Sequence, residues 1–363
     1  MTFSLDDLRR WPDFEAPELR AWDAADTLIL DEATPLLSGN TVTVIGDSYG
    51  ALTLGALDRG AARVRVHQDS IAGELALRAN GSGDYESMPL DAELVDGATL
   101  VLLRLPRSLD ELEEIAALIA AHASPEVIVI AGGRIKHMTR GMNEVLARHF
   151  GQLDVSLARQ KSRLLVARLP QPGALAEPRR RFDADLGLWI VATGGVFAGT
   201  GLDIGTRALL DVLDRVAPFQ SAIDLGCGTG ILAAQLSRAH PGAAVLASDQ
   251  SAAAAASAAL TMQANGLDVR VTRDDAVSRE PSASVDLVVL NPPFHTGAAV
   301  HSGVSTKLFE ASARVLRPGG ELWTVWNSHL AYKPLLRSLV GETREVARTA
   351  KFTVTASIRG GDQ

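Results

Sequence analysis

The sequence predicts an α/β protein made of two tandem doubly wound domains, each with a mostly parallel sheet. Three observations carry this expectation. Short β-rich runs alternate with longer helical stretches in both halves, the pattern of parallel strands joined by crossover helices. The run Pro170-Gln171-Pro172-Gly173-Ala174-Leu175-Ala176-Glu177-Pro178 breaks that alternation near the middle. The two halves also lie over each other in sequence order. Residues 1–169 are expected as one domain, 170–184 as a linker and 185–363 as the second domain.

The second half reads most plainly. Residues 222–225 form a strand entering a glycine turn, and 231–239 form the helix after it. Residues 244–248 are the next strand, and 252–264 an alanine-rich helix stopped by Asn265-Gly266. Residues 285–290 are a further strand. A helix over 306–316 ends at Arg317-Pro318-Gly319-Gly320, and a strand over 321–325 follows. The segments around Glu345 and over 351–358 close the domain as a hairpin.

In the first half, Thr43 to Gly50 falls on Ile223 to Gly230. Asp69 follows Gly50 by the interval that separates Asp249 from Gly230, and residues 100–103 match the strand before Asn291. The chemical residues have gone. Val44 stands for Asp224, Ser48 for Gly228, and Arg104-Leu105-Pro106-Arg107 for Asn291-Pro292-Pro293-Phe294. This is the pattern of an internal duplication whose first copy keeps the fold and is degenerate in its chemistry.

Bulk properties narrow the class. With 363 residues, 47% hydrophobic and 21% charged, the chain can bury a core in each half. No apolar run approaches the roughly 18 residues of a membrane span. The N-terminus carries Asp6 and Asp7 where a signal peptide would carry base, so a cytoplasmic enzyme is expected. The single cysteine, Cys227, excludes an internal disulfide and a cysteine-rich zinc site, and no metal is expected. A net charge of -8 argues against nonspecific coating of nucleic acid. A local basic surface suffices to hold phosphates, and Arg159, Lys161, Arg163, Arg168 and the run Arg179-Arg180-Arg181 are its candidates.

The run Asp224-Leu225-Gly226-Cys227-Gly228-Thr229-Gly230 follows a strand. Its glycines let the backbone turn sharply and approach a ligand, and the helix after it aims N-terminal amides at the same place. A dinucleotide fingerprint counted from Gly226 would need glycine where Ile231 stands, and a Walker loop would need a lysine that is absent. The form Asp-x-Gly-x-Gly-x-Gly instead resembles the S-adenosylmethionine motif of class I methyltransferases. That resemblance implies a cofactor site containing Asp224, Gly226, Cys227, Gly228 and Gly230. The ligand's methionine end has an amine and a carboxylate but no phosphate, so an acid beside the loop is tolerable. Asp249, with Gln250, is placed to accept the ribose hydroxyls. Asp275, with Ala276, is placed to meet the adenine amine, Asp274 being the fallback.

Asn291-Pro292-Pro293-Phe294 ends another strand. Two prolines stiffen the loop and leave carbonyls free. The Asn291 carboxamide oxygen and the Pro292 carbonyl can accept both protons of an exocyclic amine, holding its nitrogen toward a methyl donor. Phe294 can stack on the substrate plane. No strong base is required, since the proton can leave after transfer. Asn291 borders the cofactor as well as the substrate.

The segment from Phe197 to Leu210, reading Phe-Ala-Gly-Thr-Gly-Leu-Asp-Ile-Gly-Thr-Arg-Ala-Leu-Leu, resembles the loop-helix before the cradle in bacterial ribosomal RNA guanine-N2 methyltransferases of the RsmC/RlmG type. Asn291 to His295 matches their Asn-Pro-Pro-Phe-His. The likeness covers the second half through Lys351-Phe352. In the first half it is mainly architecture and the stretch Gly133-Arg134-Ile135-Lys136-His137. It implies two Rossmann-like methyltransferase domains, the first degenerate and either gripping RNA or stabilising the enzyme. It implies S-adenosylmethionine as cofactor, ribosomal RNA or a ribosomal subunit as partner, and methyl transfer to N2 of a guanine. It also implies that Phe197 and Asp203 shape the cofactor lid. The target base must then be unpaired or flipped out of its helix. A monomer is expected. Competing readings are an enzyme acting on a protein glutamine amide, one acting on adenine N6, a small-molecule N-methyltransferase, and a noncatalytic S-adenosylmethionine-binding assembly factor. The glutamine enzymes carry Tyr where Phe294 stands.

Overall fold

In the computed structural model, which describes residues 3–293 and 298–361, the chain divides into two compact units, Met1–Glu177 and Pro178–Gln363. The first carries, in chain order, α1 (Ala24–Leu37), β1 (Thr41–Ile45), α2 (Ala51–Asp58), β2 (Arg63–His67), α3 (Ile71–Asn80), β3 (Tyr85–Ser87) and α4 (Ala92–Val95). It continues with β4 (Leu100–Arg104), α5 (Leu109–His122), β5 (Ile128–Arg134), α6 (Arg140–His149), β6 (Phe150–Val155) and β7 (Ser162–Pro170). These strands form one sheet in the order β3-β2-β1-β4-β5-β7-β6. All pairs are parallel except those of β7, which runs antiparallel to both β5 and β6. Apolar side chains cover both faces, as a helix-flanked parallel sheet requires. Val42 and Val44 pack with Ile29 and Leu52 on one side, and Ile45, Val101 and Leu103 with Ile115 and Leu146 on the other.

The second unit opens with β8 (Arg179–Asp183) and β9 (Leu188–Ala192), followed by α7 (Ile204–Leu210), β10 (Ser221–Leu225), α8 (Ile231–Ala239), β11 (Ala244–Asp249) and α9 (Ala252–Asn265). Then come β12 (Arg270–Arg273), β13 (Val285–Leu290), α10 (Ala298–Val315), β14 (Leu316–Asn327), α11 (Lys333–Leu339), β15 (Thr343–Arg348) and β16 (Phe352–Ile358). Its main sheet runs β12-β11-β10-β13-β14-β16-β15, strand for strand the order of the first unit. β8 and β9 form a separate antiparallel hairpin.

Several expectations need correcting. The arginine run is strand β8 rather than linker, because Arg180 and Phe182 find cross-strand partners in Val191 and Trp189. Helix α10 starts earlier than residue 306, and β14 takes in Arg317 to Gly320, Leu316 pairing with Val285. Asp69 is not the counterpart of Asp249. Ile45 pairs with His67 and Leu225 with Ser248, so the next residues along, Gln68 and Asp249, correspond. The first unit's crossover from Gly50 to its second strand is one residue shorter, which residue counting alone cannot see.

Candidate active site

The three strands that carry the predicted chemistry, β10, β11 and β13, are neighbours in one sheet, so their C-terminal ends meet. That is where open α/β sheets place ligands. At the end of β10, Asp224 is fully buried. Its Oδ2 accepts the Ala233 amide of α8 at 2.9 Å, and its Oδ1 has no partner. Burial pushes its carboxyl up to about 7, with the nearby charge of Asp249 adding to the rise and the Ala233 amide opposing it. Burial also raises the Cys227 thiol, so that side chain is a neutral packing group.

The cradle glycines divide their work. At Gly228, φ is +54° and a Cβ would meet nothing within 4 Å, so the turn opens onto free space. Gly230, at φ +78°, is a packing residue: a Cβ there would stand 2.7 Å from Met262 Cε and 3.1 Å from Ala258 Cβ, forcing α8 off α9. Asp249 closes the other side. Its Oδ2 accepts the Gly228 amide at 3.0 Å, and its Oδ1 accepts that of Ser251, also at 3.0 Å. Gln250 beside it is exposed.

Beyond β12, Asp274 builds a turn, accepting from Ser278 Oγ at 2.8 Å and the Arg279 amide at 3.1 Å. Asp275 is nearly buried and ion-paired at 2.7 Å to Lys307 of α10. Ala276 follows it in the left-handed region, at φ +49°.

The clamp is held by a contact across 88 residues. Asn291, immediately after β13, donates from Nδ2 to Asp203 Oδ2 and to Thr206 Oγ1, each at 2.9 Å. With both amide protons committed, its Oδ1 is left as the acceptor, buried and without a partner. Asp203 caps α7, its Oδ2 also accepting the amides of Gly205 at 2.9 Å and Thr206 at 3.2 Å. A Cβ on Gly205 would sit 2.9 Å from both Asn291 Oδ1 and Asp203 Oδ2. Pro292 is buried, Pro293 exposed and Phe197 61% exposed. Phe294 and His295 lie outside the described residues.

Residues 187–356 match the methyltransferase small domain, and residues 2–171 match the RLMG N-terminal domain. The ribosomal RNA large subunit methyltransferase G of Streptomyces avermitilis is 35% identical over 97% of this chain and 96% of its own. That of Streptomyces coelicolor is 36% identical, covering 97% of each chain. The chain belongs to the ribosomal RNA large subunit methyltransferase G family. It is accordingly an S-adenosylmethionine-dependent methyltransferase. A solved structure, the T. thermophilus 16S rRNA N2 G1207 methyltransferase (RsmC) in complex with AdoMet and guanosine, shares the fold over 95% of both chains, with a TM-score of 0.79 at 23% identity.

The residues present fit that cofactor. A buried acid with one unpartnered oxygen, an open glycine turn and a second acid suit an ammonium and a ribose diol, and two carboxylates would repel a phosphate. Gly205, Thr206 and Lys307 escaped the sequence reading. The first two lie inside the quoted Phe197–Leu210 segment, but nothing in their spacing announces a contact with Asn291.

The first unit has the same turn with its chemistry replaced. Gln68 Nε2 donates to the carbonyls of Asp47 and Ser48, at 2.9 and 3.2 Å, where Asp249 accepts in the second unit. Arg104 stands at the position of Asn291 and is paired with Asp23, at 2.7 Å, and with Asp26.

Proposed function

We propose that the protein transfers a methyl group to the exocyclic N2 amine of a guanine in large-subunit ribosomal RNA. The carrying observation is the Asn291 carboxamide, whose nitrogen is fixed by Asp203 and Thr206 so that its buried oxygen is left to accept. Bound S-adenosylmethionine supplies the methyl as an electrophilic sulfonium. Asn291 Oδ1 accepts one N–H of the amine and the Pro292 carbonyl the other, turning the nitrogen's lone pair out of the ring and toward the methyl. The family's own name supports the large subunit as the source of the RNA.

For the cofactor, we assign Asp224 to the ammonium, Gly226, Cys227, Gly228 and Gly230 to the turn that admits it, and Asp249 with Gln250 to the ribose. Asp275 with Ala276 reads the adenine edge. A carboxylate has about four lone-pair sites, so the Lys307 pair leaves Asp275 capacity for an amine. Phe197 covers the cofactor, and Asp203 acts on Asn291. Residues 1–169 serve to hold RNA or stabilise the enzyme, and the protein works as a cytoplasmic monomer. Among the described residues no helix is long and apolar enough to cross a membrane, and no cluster of metal-binding side chains occurs.

The test is transfer of tritiated methyl into ribosomal RNA from cells lacking the protein, followed by nucleoside analysis. N2-methylguanosine in large-subunit RNA is the expected product. Label in protein alone would overturn the assignment in favour of the glutamine reading.

A further inference from the structure

The β8–β9 hairpin presents aromatic rings to solvent on one face and buries the other. Leu188 and Ile190 lie in the core with Ala258 and Met262 of α9. On the outer face Phe182 stands opposite Trp189 and Arg180 opposite Val191. Phe182 is 49% exposed and Trp189 37%. Their ring centroids are 5.2 Å apart, and the Arg180 guanidinium lies 4.2 Å from the Trp189 centroid.

The platform is rigid and tied to the reaction centre. Asn265 of α9 grips the backbone of Trp189 at both N–H and carbonyl, at 2.9 and 2.7 Å, and Thr261 Oγ1 takes the Val191 amide at 3.0 Å. Arg181 donates from Nε and Nη2 to the Thr200 carbonyl at 2.9 and 2.7 Å. Three residues further on is Asp203, whose carboxylate holds Asn291. Chain length therefore keeps Thr200 within about 11 Å of Asp203.

We propose that the outer face of the hairpin is a stacking platform for the unpaired nucleotides beside the methylated guanine. This rests on the ribosomal RNA reading above. Charge and shape select the occupant. Arg180 sets a cation on that same face, on a chain of net charge -8, which suits a phosphate beside a stacked base. Exposed rings accept any base by its π-face, and a base drawn out of its helix leaves its neighbours unstacked. A cross-strand aromatic pair also steadies a hairpin, so the test separates stacking from stability.

Phe182→Leu keeps apolar bulk and removes the π-face, and Phe182→Tyr keeps both. Steady-state methyl transfer is measured on protein-free ribosomal RNA and on ribosomal subunits from cells lacking the protein, alongside S-adenosylmethionine Kd and Tm. Phe182→Leu should raise the RNA KM about fivefold or more with Kd and Tm at parental values, and Phe182→Tyr should restore it. An unchanged RNA KM in Phe182→Leu, or a KM that rises only in step with a fall in Tm, would overturn the platform while leaving the function intact. Absence of transfer into RNA by the parent protein would overturn the function, and the platform with it.

Discussion

Replacing Asp203 separates two tasks that one oxygen performs. Its Oδ2 accepts from the Gly205 and Thr206 amides and from Asn291 Nδ2. In Asp203→Ala the cap is lost, which costs about 1 kcal/mol of stability. A charge-assisted hydrogen bond to Asn291 worth about 1.5–3 kcal/mol is lost as well. Thr206 Oγ1 still holds the carboxamide, so the group is loosened rather than released. At about 1.4 kcal/mol per decade, kcat should fall roughly 10- to 100-fold. Asp203→Asn retains an oxygen and caps equally well, but a neutral acceptor gives about half the strength, so its kcat should fall between the two. The assay is single-turnover methyl transfer with cofactor Kd and Tm measured on each variant. A folded Asp203→Ala protein with kcat within about twofold of the parent would refute the orienting role. A raised cofactor Kd with kcat intact would return Asp203 to the lid.

Other outcomes follow from the same geometry. Asn291→Ala should lower kcat by about 10²- to 10³-fold, the loss typical of one preorganised polar group, with cofactor binding retained in calorimetry. Gly205→Ala forces a Cβ against Asn291 Oδ1 and Asp203 Oδ2, so kcat should drop while thermal melting shows a folded protein. Asp224 titrates at about 7, above its ordinary 3.8, mainly through burial. The ligand-free fold therefore gains most from this group below pH 4 and loses that gain as pH rises toward 7, by about 1.4 kcal/mol per unit. Denaturant titrations of parent against Asp224→Asn should show that slope as a difference. An ammonium ligand favours the ionised acid, so cofactor affinity should strengthen from pH 5.5 to 7 in the parent and stay flat in Asp224→Asn.

Local signals made most of the fold legible. Strands β10, β11 and β13 each bring their chemistry within a residue or two of a buried β-rich run, so the cradle and the clamp could be read as short strings. The hold on Asn291 could not, because Asp203 lies 88 residues away and doubles as an ordinary helix cap. The hairpin was hidden for another reason. Three arginines after a proline-rich stretch read as solvated linker, and the strand they pair with, β9, is itself held by Asn265 and Thr261 of a helix far along the chain.

The two copies of the fold separate what the architecture requires from what the reaction requires. Gly46 and Gly226 both turn with positive φ and donate to matching carbonyls near the end of the second strand, His67 and Ser248, at 3.0 and 2.8 Å. Gly50 and Gly230 both start the next helix in the left-handed region. Those features persist because strand order and helix packing need them whatever is bound. The polar groups diverge. In the first copy Asp47 accepts the Gly50 amide at Oδ1 and the Thr53 amide and hydroxyl at Oδ2, and Arg104 is paired to Asp23 and Asp26. In the second copy Asp224 and Asn291 each keep one buried oxygen without a partner. Leaving a buried acceptor unmade costs about 1–3 kcal/mol, a loss a ligand recovers by donating to it. A chain that retains two such atoms at adjacent strand ends, while its duplicate has apolar Val44 at one matching position and an internally paired Arg104 at the other, has its ligand contacts written in what the fold leaves open.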